Sequence, residues 1–500
     1  MSFTRVREMK LLVCKILEKQ IKKYIEVTGD DYNEICNKYR KLMTYSPLGF
    51  IPFIILSLFF KQFILSAIGY FLLIYFYPFL YTWSRSKEYK KLVNTEAPII
   101  SLIAYINSLV DKSIIYTLEE LSKIKELKTP KIELEQIKKS ISVLNMSSYK
   151  AIEKRATVHH DDLLGVIYSK YVLSSEIGLS IRERLKEAMS EIFQRFKDQY
   201  KGYVDKAVEI AEMEFAIFLM VPIILIGFQF TFKTNISELV LPLLFTPAFV
   251  FLITTIQPDN DYSISFDWRV FLPLIVIPIV IFANILLAFK LVIISIIVSF
   301  VVYWIYRQIR LANELISILP TLLKEISDYM RLGYNIKFSF KKVDVNASSR
   351  VQRILEEISK EFTVKNEVTE IKTPSKLFNI IIQILSLFEK SGISYEAMDE
   401  LSSLVNDLLG VRLSLIRQLR LFDLMVILTP ILLWLTFSMM GNISGSNNVT
   451  LFSVVMFSYS LASSVIFSKL SRFTIFYLPT ILSGIIMALI LSFLPHVIFI

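Results

Sequence analysis

The chain has 500 residues, 54% of them hydrophobic, and a mean hydropathy of +0.53, well above the range of soluble domains, which directs the reading to membrane proteins. Its net charge is +10, yet the two large charged segments are nearly balanced, with 22 basic against 20 acidic residues in 82–214 and 17 against 15 in 307–423. Neither segment carries a strong basic excess, and no nucleic-acid partner is expected.

Residues 1–46 are charged and predict a cytoplasmic helical segment. They lack the apolar core and small-residue cleavage site of a secretory signal, so no cleavage is expected. Cys14 and Cys36 lie here, 22 residues apart and away from any histidine, a spacing that predicts neither a disulfide framework nor a zinc site. Two apolar runs, 48–60 and 63–81, form a first transmembrane pair within 47–81.

Residues 82–214 read as a cytoplasmic helical domain. Pro98 opens an apolar-periodic helix over 99–110, which turns at Asp111 and resumes through 116–121. A second hairpin runs from 163–173 through Gly178 into a long amphipathic helix that continues into the apolar run at 215. Residues 215–306 hold four spans, 215–232, 239–256, 270–289 and 291–306. The charged pattern then returns in 307–423, a second cytoplasmic domain. Here Pro320 opens a helix over 321–330 that turns at Gly333 and resumes through 338; 377–388 then leads through Gly392 to a helix running without a break into the span at 424. Residues 424–500 carry three more spans, giving about nine in all.

Orientation follows from the basic residues. Of 55 Lys and Arg, 49 fall in residues 1–46, 82–214 and 307–423, and the positive-inside rule places these segments in the cytoplasm. Nine spans then leave the N-terminus cytoplasmic and the C-terminus external, in a multi-pass protein of the cell membrane. The loop 257–268 fits this threading poorly, because Asp259, Asp261 and Asp267 fall on the cytoplasmic side.

The sequence repeats itself. The hairpin at Asp111 recurs at Gly333, 222 residues later; the turn at Gly178 recurs at Gly392, 214 later; the proline-broken exit span at Pro222 recurs at Pro430, 208 later. Glycine suits a helix end that needs a left-handed residue, and the Ser or Asn two residues on can cap the next helix. Asp111 replaces glycine, so that hairpin is expected to close differently.

Signals for catalysis are missing from the sequence. None of the 13 glycines precedes a lysine, so there is no Walker A loop, and neither enzyme activity nor a cofactor is expected. His159 and His160 stand beside Asp161 and Asp162, but adjacent helical residues point about 100° apart, and the cluster reads as a solvated helix start rather than a metal site. The spans are nearly free of ionisable groups, with Lys61, Lys233, Arg269 and Lys290 at their ends, which gives little support to a transporter. A transporter and a signalling scaffold nevertheless stay open as alternatives.

This duplicated unit, with Pro at a helix start, Gly-x-Ser/Asn turns and a proline-broken exit span, resembles the type II secretion F-domain family over roughly residues 47–440. With two such domains among about nine spans it looks like the archaeal branch, the membrane platforms of type IV pili and of archaella. The resemblance implies an all-α polytopic protein with two duplicated cytoplasmic helical-hairpin domains. It implies as partners a cytoplasmic hexameric secretion ATPase, pilin-like subunits and the lipid bilayer; a homodimer stays open, as does the choice between pilus and archaellum. The surfaces meeting the ATPase would be the hairpin turns Asp111, Gly178, Gly333 and Gly392 with the nearby basic residues Arg182, Arg184, Lys186, Lys337, Lys341 and Lys342.

Overall fold

The computed structural model describes residues 24–29, 33–38, 41–42, 63–177, 180–225, 242–258, 261–365, 372–444 and 449–493. Among these the fold is all-helical, and the one extended pairing is an isolated bridge between Tyr262 and Ser375. The chain divides into two compact units, Met1–Phe193 and Gln194–Ile500.

In the first unit, α1 (Phe63–Ser108), α2 (Ile114–Leu121), α3 (Thr129–Ser142), α4 (Ser148–Val158) and α5 (Leu163–Ile177) follow one another. Helix α1 has 46 residues, roughly 69 Å at 1.5 Å per residue. Pro98 lies inside it rather than opening a new helix; the ring removes one backbone hydrogen bond, and the turns on either side keep the helix intact. Val93, Ala97, Ile100, Ile103 and Ile106 form its buried stripe, against Leu118 and Leu121 of α2, Ile137 of α3, Ile152 of α4 and Leu164, Ile167 and Tyr168 of α5. Helix α3 starts without a side-chain cap of its own. Glu96 of α1, buried, accepts the Lys128 and Thr129 N–H groups at 3.3 and 2.8 Å, supplying the negative charge that a helix N-terminus favours. Cys36 is disulfide-bonded, which corrects the expectation from spacing; Cys14 lies outside the described residues.

Helix α6 (Ile181–Phe215) passes from the first unit's residues to the second's. A π-helical stretch, Ala216–Met220, follows directly. Pro222 cannot donate an N–H to a standard turn, and a widened turn is one way a helix absorbs such a gap. The second unit continues with α7 (Thr246–Ile256), a 3-10 stretch Trp268–Ile275, α8 (Val276–Phe282), α9 (Leu287–Arg331), α10 (Ile336–Lys342), α11 (Ser349–Lys365), α12 (Lys376–Ser391), α13 (Tyr395–Gln418), α14 (Leu421–Ser444), α15 (Val449–Arg472) and α16 (Leu478–Phe493). Pro320, like Pro98, sits within a continuous helix. Helices α13 and α14 are separated by a turn at Leu419 and Arg420, where the sequence predicted an unbroken helix.

Among the described residues three helical stretches are long and apolar enough to cross a membrane: Leu287–Arg331, Tyr395–Ser438 and Phe452–Arg472. Pro242–Ile256, Trp268–Phe282 and Leu478–Phe493 are apolar but shorter. The run 48–60 of the predicted first pair and residues 226–232 of the span at 215–232 lie outside the described residues. Helices α14, α15 and α16 pack together around Leu433, Phe437, Tyr459, Ile466 and Phe467. Gly484 lets α16 approach, since a Cβ there would lie 2.0 Å from Ser464 Oγ and 2.9 Å from Val426 Cγ1.

The acidic loop that fitted the threading poorly is bound to the second helical lobe, α9–α13. The Asp261 carboxylate pairs with the guanidinium of Arg412 on α13. Lys376 donates its N–H to Asp261 O at 2.8 Å, Ser263 donates to Pro374 O at 2.8 Å, and the Tyr262 hydroxyl donates to Asn313 at 3.0 Å. A carboxylate held by a lobe's own arginine needs no separate explanation from charge bias. Arg412 is buried, and its Nη2 has no hydrogen-bond partner. Asp261→Ala would therefore leave a buried cation unpaired, and is expected to destabilise the second unit by about 3 kcal/mol, with Asp261→Ala/Arg412→Leu restoring most of the loss. Heat unfolding of the detergent-solubilised chain measures both; a single variant as stable as the native chain would show that the pair holds nothing together.

Candidate functional site

The hairpin turns are built from local rules. At the α1–α2 turn Asp111 adopts a left-handed φ of 56°. Its N–H donates to Ser108 O at 3.3 Å, the N–H of Lys112 donates to Asn107 O at 3.0 Å, and Ser113 caps α2 by accepting the Tyr116 N–H. At the α9–α10 turn Gly333 has φ of 91°. Its N–H donates to Met330 O at 2.9 Å, the N–H of Tyr334 donates to Tyr329 O at 3.2 Å, and Asn335 caps α10 by accepting the Phe338 N–H. Each of these bonds recurs 222 residues on. The turn at Asp111 thus closes in the same way as the glycine turn, because Asp tolerates the left-handed region at a cost of roughly 1–2 kcal/mol that glycine avoids.

Gly392 ends α12 with φ of 63° and donates to Phe388 O at 3.0 Å, and Ser394 caps α13 by accepting the Ala397 N–H. Ser180 accepts the Glu183 N–H at 3.4 Å in the corresponding place before α6, 214 residues earlier; Gly178 itself lies outside the described residues.

The turns at Gly333 and Gly392 share one end of the second lobe. Lys337 donates its N–H to Glu389 Oε2 at 3.3 Å, and Ser327 donates its hydroxyl to Tyr395 O at 3.5 Å. This end exposes Leu332 (73%), Phe338 (56%), Tyr334 and Tyr395. Lys341 and Lys342 are exposed beside them; Lys342 Nζ stands 3.8 Å above the Tyr334 ring, and Arg331 lies 5.6 Å from the Tyr395 ring. An aromatic centre with a basic rim has the composition of a protein-docking surface. The other basic trio belongs to the first unit. Arg182 and Lys186 are exposed on α6, while Arg184 donates to Glu187 at 2.7 Å and Lys170 approaches the same carboxylate at 3.3 Å.

A second constellation, buried in the first unit, was not foreseen. His159, expected to be solvated, is fully buried, while its neighbours His160 and Asp161 are exposed. Its Nδ1 lies 2.6 Å from Asp162 Oδ2, and its Nε2 lies 2.9 Å from Glu133 Oε1. Arg155 donates Nε–H to Glu133 Oε2 at 2.8 Å and Nη1–H to the carbonyl of Glu26 at 2.6 Å. The hydroxyls of Tyr89 and Tyr168 donate to Glu133 at 2.8 and 3.2 Å. Asp162 accepts the Leu164 and Gly165 N–H groups at the start of α5. Gly165 permits this close approach, since a Cβ would lie 2.0 Å from His159 O.

Two carboxylates and two cations make the cluster neutral. Burial pushes the carboxyl of Glu133 up, but His159 and Arg155 outweigh it and hold it well below the usual carboxylate range. Burial likewise opposes charge on His159, yet Glu133 and Asp162 raise it to about 9. The imidazolium then donates from both nitrogens, leaving no lone pair for a metal. Among the described residues no group of three or more His, Cys, Asp or Glu could hold a metal ion. Burial and the negative Glu133 push both tyrosines well up, so they stay as donors. The spacing carried only a partial signal: Arg155 lies in the last turn of α4 with His159 at its C-cap, four residues on, while Asp162 lies in the turn before α5, and Glu133 stands on the same face as Pro130, Leu134 and Ile137.

No protein-family model matches the chain, no curated protein matches it, and no solved structure matches it.

Two predictions follow from the geometry. His159 is raised above its unfolded value of 6.5, so its contribution is complete below pH 6.5 and is lost as pH rises through about 9. Amide exchange in α3–α5 is expected to accelerate over that window by more than its intrinsic pH dependence; a profile that follows intrinsic exchange would contradict it. At Gly333 nothing lies within 4 Å of a built Cβ, so only φ is at issue, and Gly333→Ala is expected to lose roughly 1–2 kcal/mol while Gly333→Asn loses less. Thermal midpoints rank the two.

Proposed function

We propose that this chain is a non-catalytic membrane platform for assembly of a pilus-like filament, with the architecture of the archaeal type II secretion F-domain family. The carrying observation is the recurrence, in the same order, of one unit: a long helix containing a proline, a left-handed turn, a capped short helix, then a second capped hairpin whose last helix leads to an apolar stretch. Helices α1 and α9 have 46 and 45 residues with Pro98 and Pro320 near their ends. In this reading the two helical lobes are duplicated cytoplasmic domains, and about nine spans hold them to the bilayer.

The basic, aromatic tip at Gly333 and Gly392 would receive a cytoplasmic hexameric secretion ATPase made by another gene, and the apolar helices would handle pilin-like subunits. Rim lysines contribute orientation and association rate more than raw affinity. The membrane reading is supported by the three long apolar helices. The charged loop at Asp261 sits with the second lobe, as a cytoplasmic loop would.

Deleting the gene is expected to abolish surface filaments, with pilin retained in the membrane. Lys341→Glu/Lys342→Glu is expected to weaken co-purification of the ATPase by at least tenfold at low salt, with less difference at high salt. Normal filaments on the deletion strain would end the platform reading, whereas unchanged ATPase capture by the variant would move the docking surface elsewhere.

A further inference from the structure

The break between α13 and α14 creates a site that the platform role does not use. Arg417 and Arg420 are exposed on either side of Leu419, and neither guanidinium is paired with a carboxylate among the described residues. Arg472, at the end of α15, donates Nη2–H to Asp423 Oδ2 at 2.7 Å, while its Nε is buried without a hydrogen-bond partner. Asp423 is already engaged, since its Oδ1 accepts the hydroxyls of Ser471 at 3.0 Å and Thr480 at 3.3 Å. Three arginines and one already occupied carboxylate thus border the same concavity, a local excess of positive charge.

These groups line a concavity of about 500 Å³ together with Leu424, Ile427 and Tyr477. Arg472 lies 4.8 Å from the Tyr477 ring, and Tyr477 packs edge-on to Tyr306 at 5.4 Å. Trp304 and Arg307 continue this belt at 5.7 Å on α9. Basic and aromatic residues gathered at the ends of apolar helices mark the headgroup level of a bilayer. One wall of the concavity leads away along α14 through Leu421, Leu424 and Leu428, which are 67%, 56% and 42% exposed.

We propose that this concavity binds the phosphate of an anionic phospholipid, with Arg417, Arg420 and Arg472 holding the headgroup and the leucine wall of α14 receiving an acyl chain. Guanidinium groups match phosphate oxygens in forked hydrogen bonds, and basic pockets between membrane helices recognise such headgroups. A soluble phosphate would satisfy the arginines but leave the leucine wall bare. The proposal rests on α14–α16 being membrane helices and is independent of the platform role.

The test is native mass spectrometry of the full chain in non-ionic detergent, titrated in parallel with phosphatidylglycerol, phosphatidylcholine and inorganic phosphate. Phosphatidylglycerol is expected to stay bound at about tenfold lower concentration than phosphatidylcholine, and Arg417→Gln/Arg420→Gln to remove that preference. Both side chains are exposed, so the unfolding midpoint should not move; if it does, the single variants are each expected to lose part of the preference. Arg350→Gln/Arg353→Gln, which removes two exposed charges from α11, is expected to leave it intact. Equal retention of the two lipids, or an unchanged preference in the double variant, overturns the site. Full displacement of phosphatidylglycerol by millimolar inorganic phosphate overturns the lipid and assigns the arginines to a soluble anion.

Discussion

A charge withdrawn from water into a helical bundle must be neutralised by a neighbour, and this chain meets that requirement between elements rather than within them. Glu133 on α3, Arg155 on α4 and Asp162 before α5 meet at His159. Asp261 in a loop meets Arg412 on α13, and Asp423 in the first turn of α14 meets Arg472 at the end of α15. Apolar contacts tolerate sliding, whereas a buried ion pair is strongly penalised when displaced, so the pairings at Glu133 and at the buried Arg412 fix how their elements sit together, and the half-buried pair of Asp423 and Arg472 does so less strongly. The desolvation cost means that such pairs contribute to register more than to net stability.

The interiors of the two lobes differ even where their backbones correspond. Tyr89 of α1 stands where α9 carries Leu311, and Tyr168 of α5 where α12 carries Ile382. The buried face of α3 holds Glu133, while the inner face of α11 carries Val351, Ile354, Leu355 and Ile358. Buried ion networks can be exchanged for apolar residues of similar volume without loss of fold, and the apolar residues at these positions of the second lobe are compatible with the same turn geometry. The turns and caps recur, and the charges do not. The backbone path of a lobe therefore rests on the helix-end chemistry, with the interior free to vary.

That distinction explains what the sequence disclosed. Left-handed turn residues, capping Ser and Asn, and their constant spacing depend on a few neighbouring residues, and the hairpins at Asp111, Gly333 and Gly392 were legible for that reason. The cluster at His159 depends on partners 22 and 26 residues away and on a backbone carbonyl from Glu26; judged only for chelation with its neighbour, His159 looked like surface. Prolines were misjudged in the opposite direction. Pro98 and Pro320 were read as helix starts, yet the long apolar stripes on both sides outweigh one missing hydrogen bond. The acidic loop at Asp261 looked out of place because its counter-ion is 151 residues distant.

The same reasoning bears on how movement would pass from a lobe to the apolar helices. Of the two places where polar sequence gives way to apolar, the first is continuous helix with a π-helical stretch after Phe215, as expected, and the second holds a two-residue turn at Leu419 and Arg420. A π turn keeps the backbone hydrogen-bonded. The two-residue turn stays hydrogen-bonded, with Phe422 N–H to Leu419 O and Asp423 N–H to Arg420 O both at 3.1 Å, and Asp423, four residues past Leu419, ties α14 to Arg472 and Ser471 of α15 and to Thr480 of α16. Any displacement of α13 would therefore meet, within four residues of the turn, a carboxylate that holds α14 to two other apolar helices.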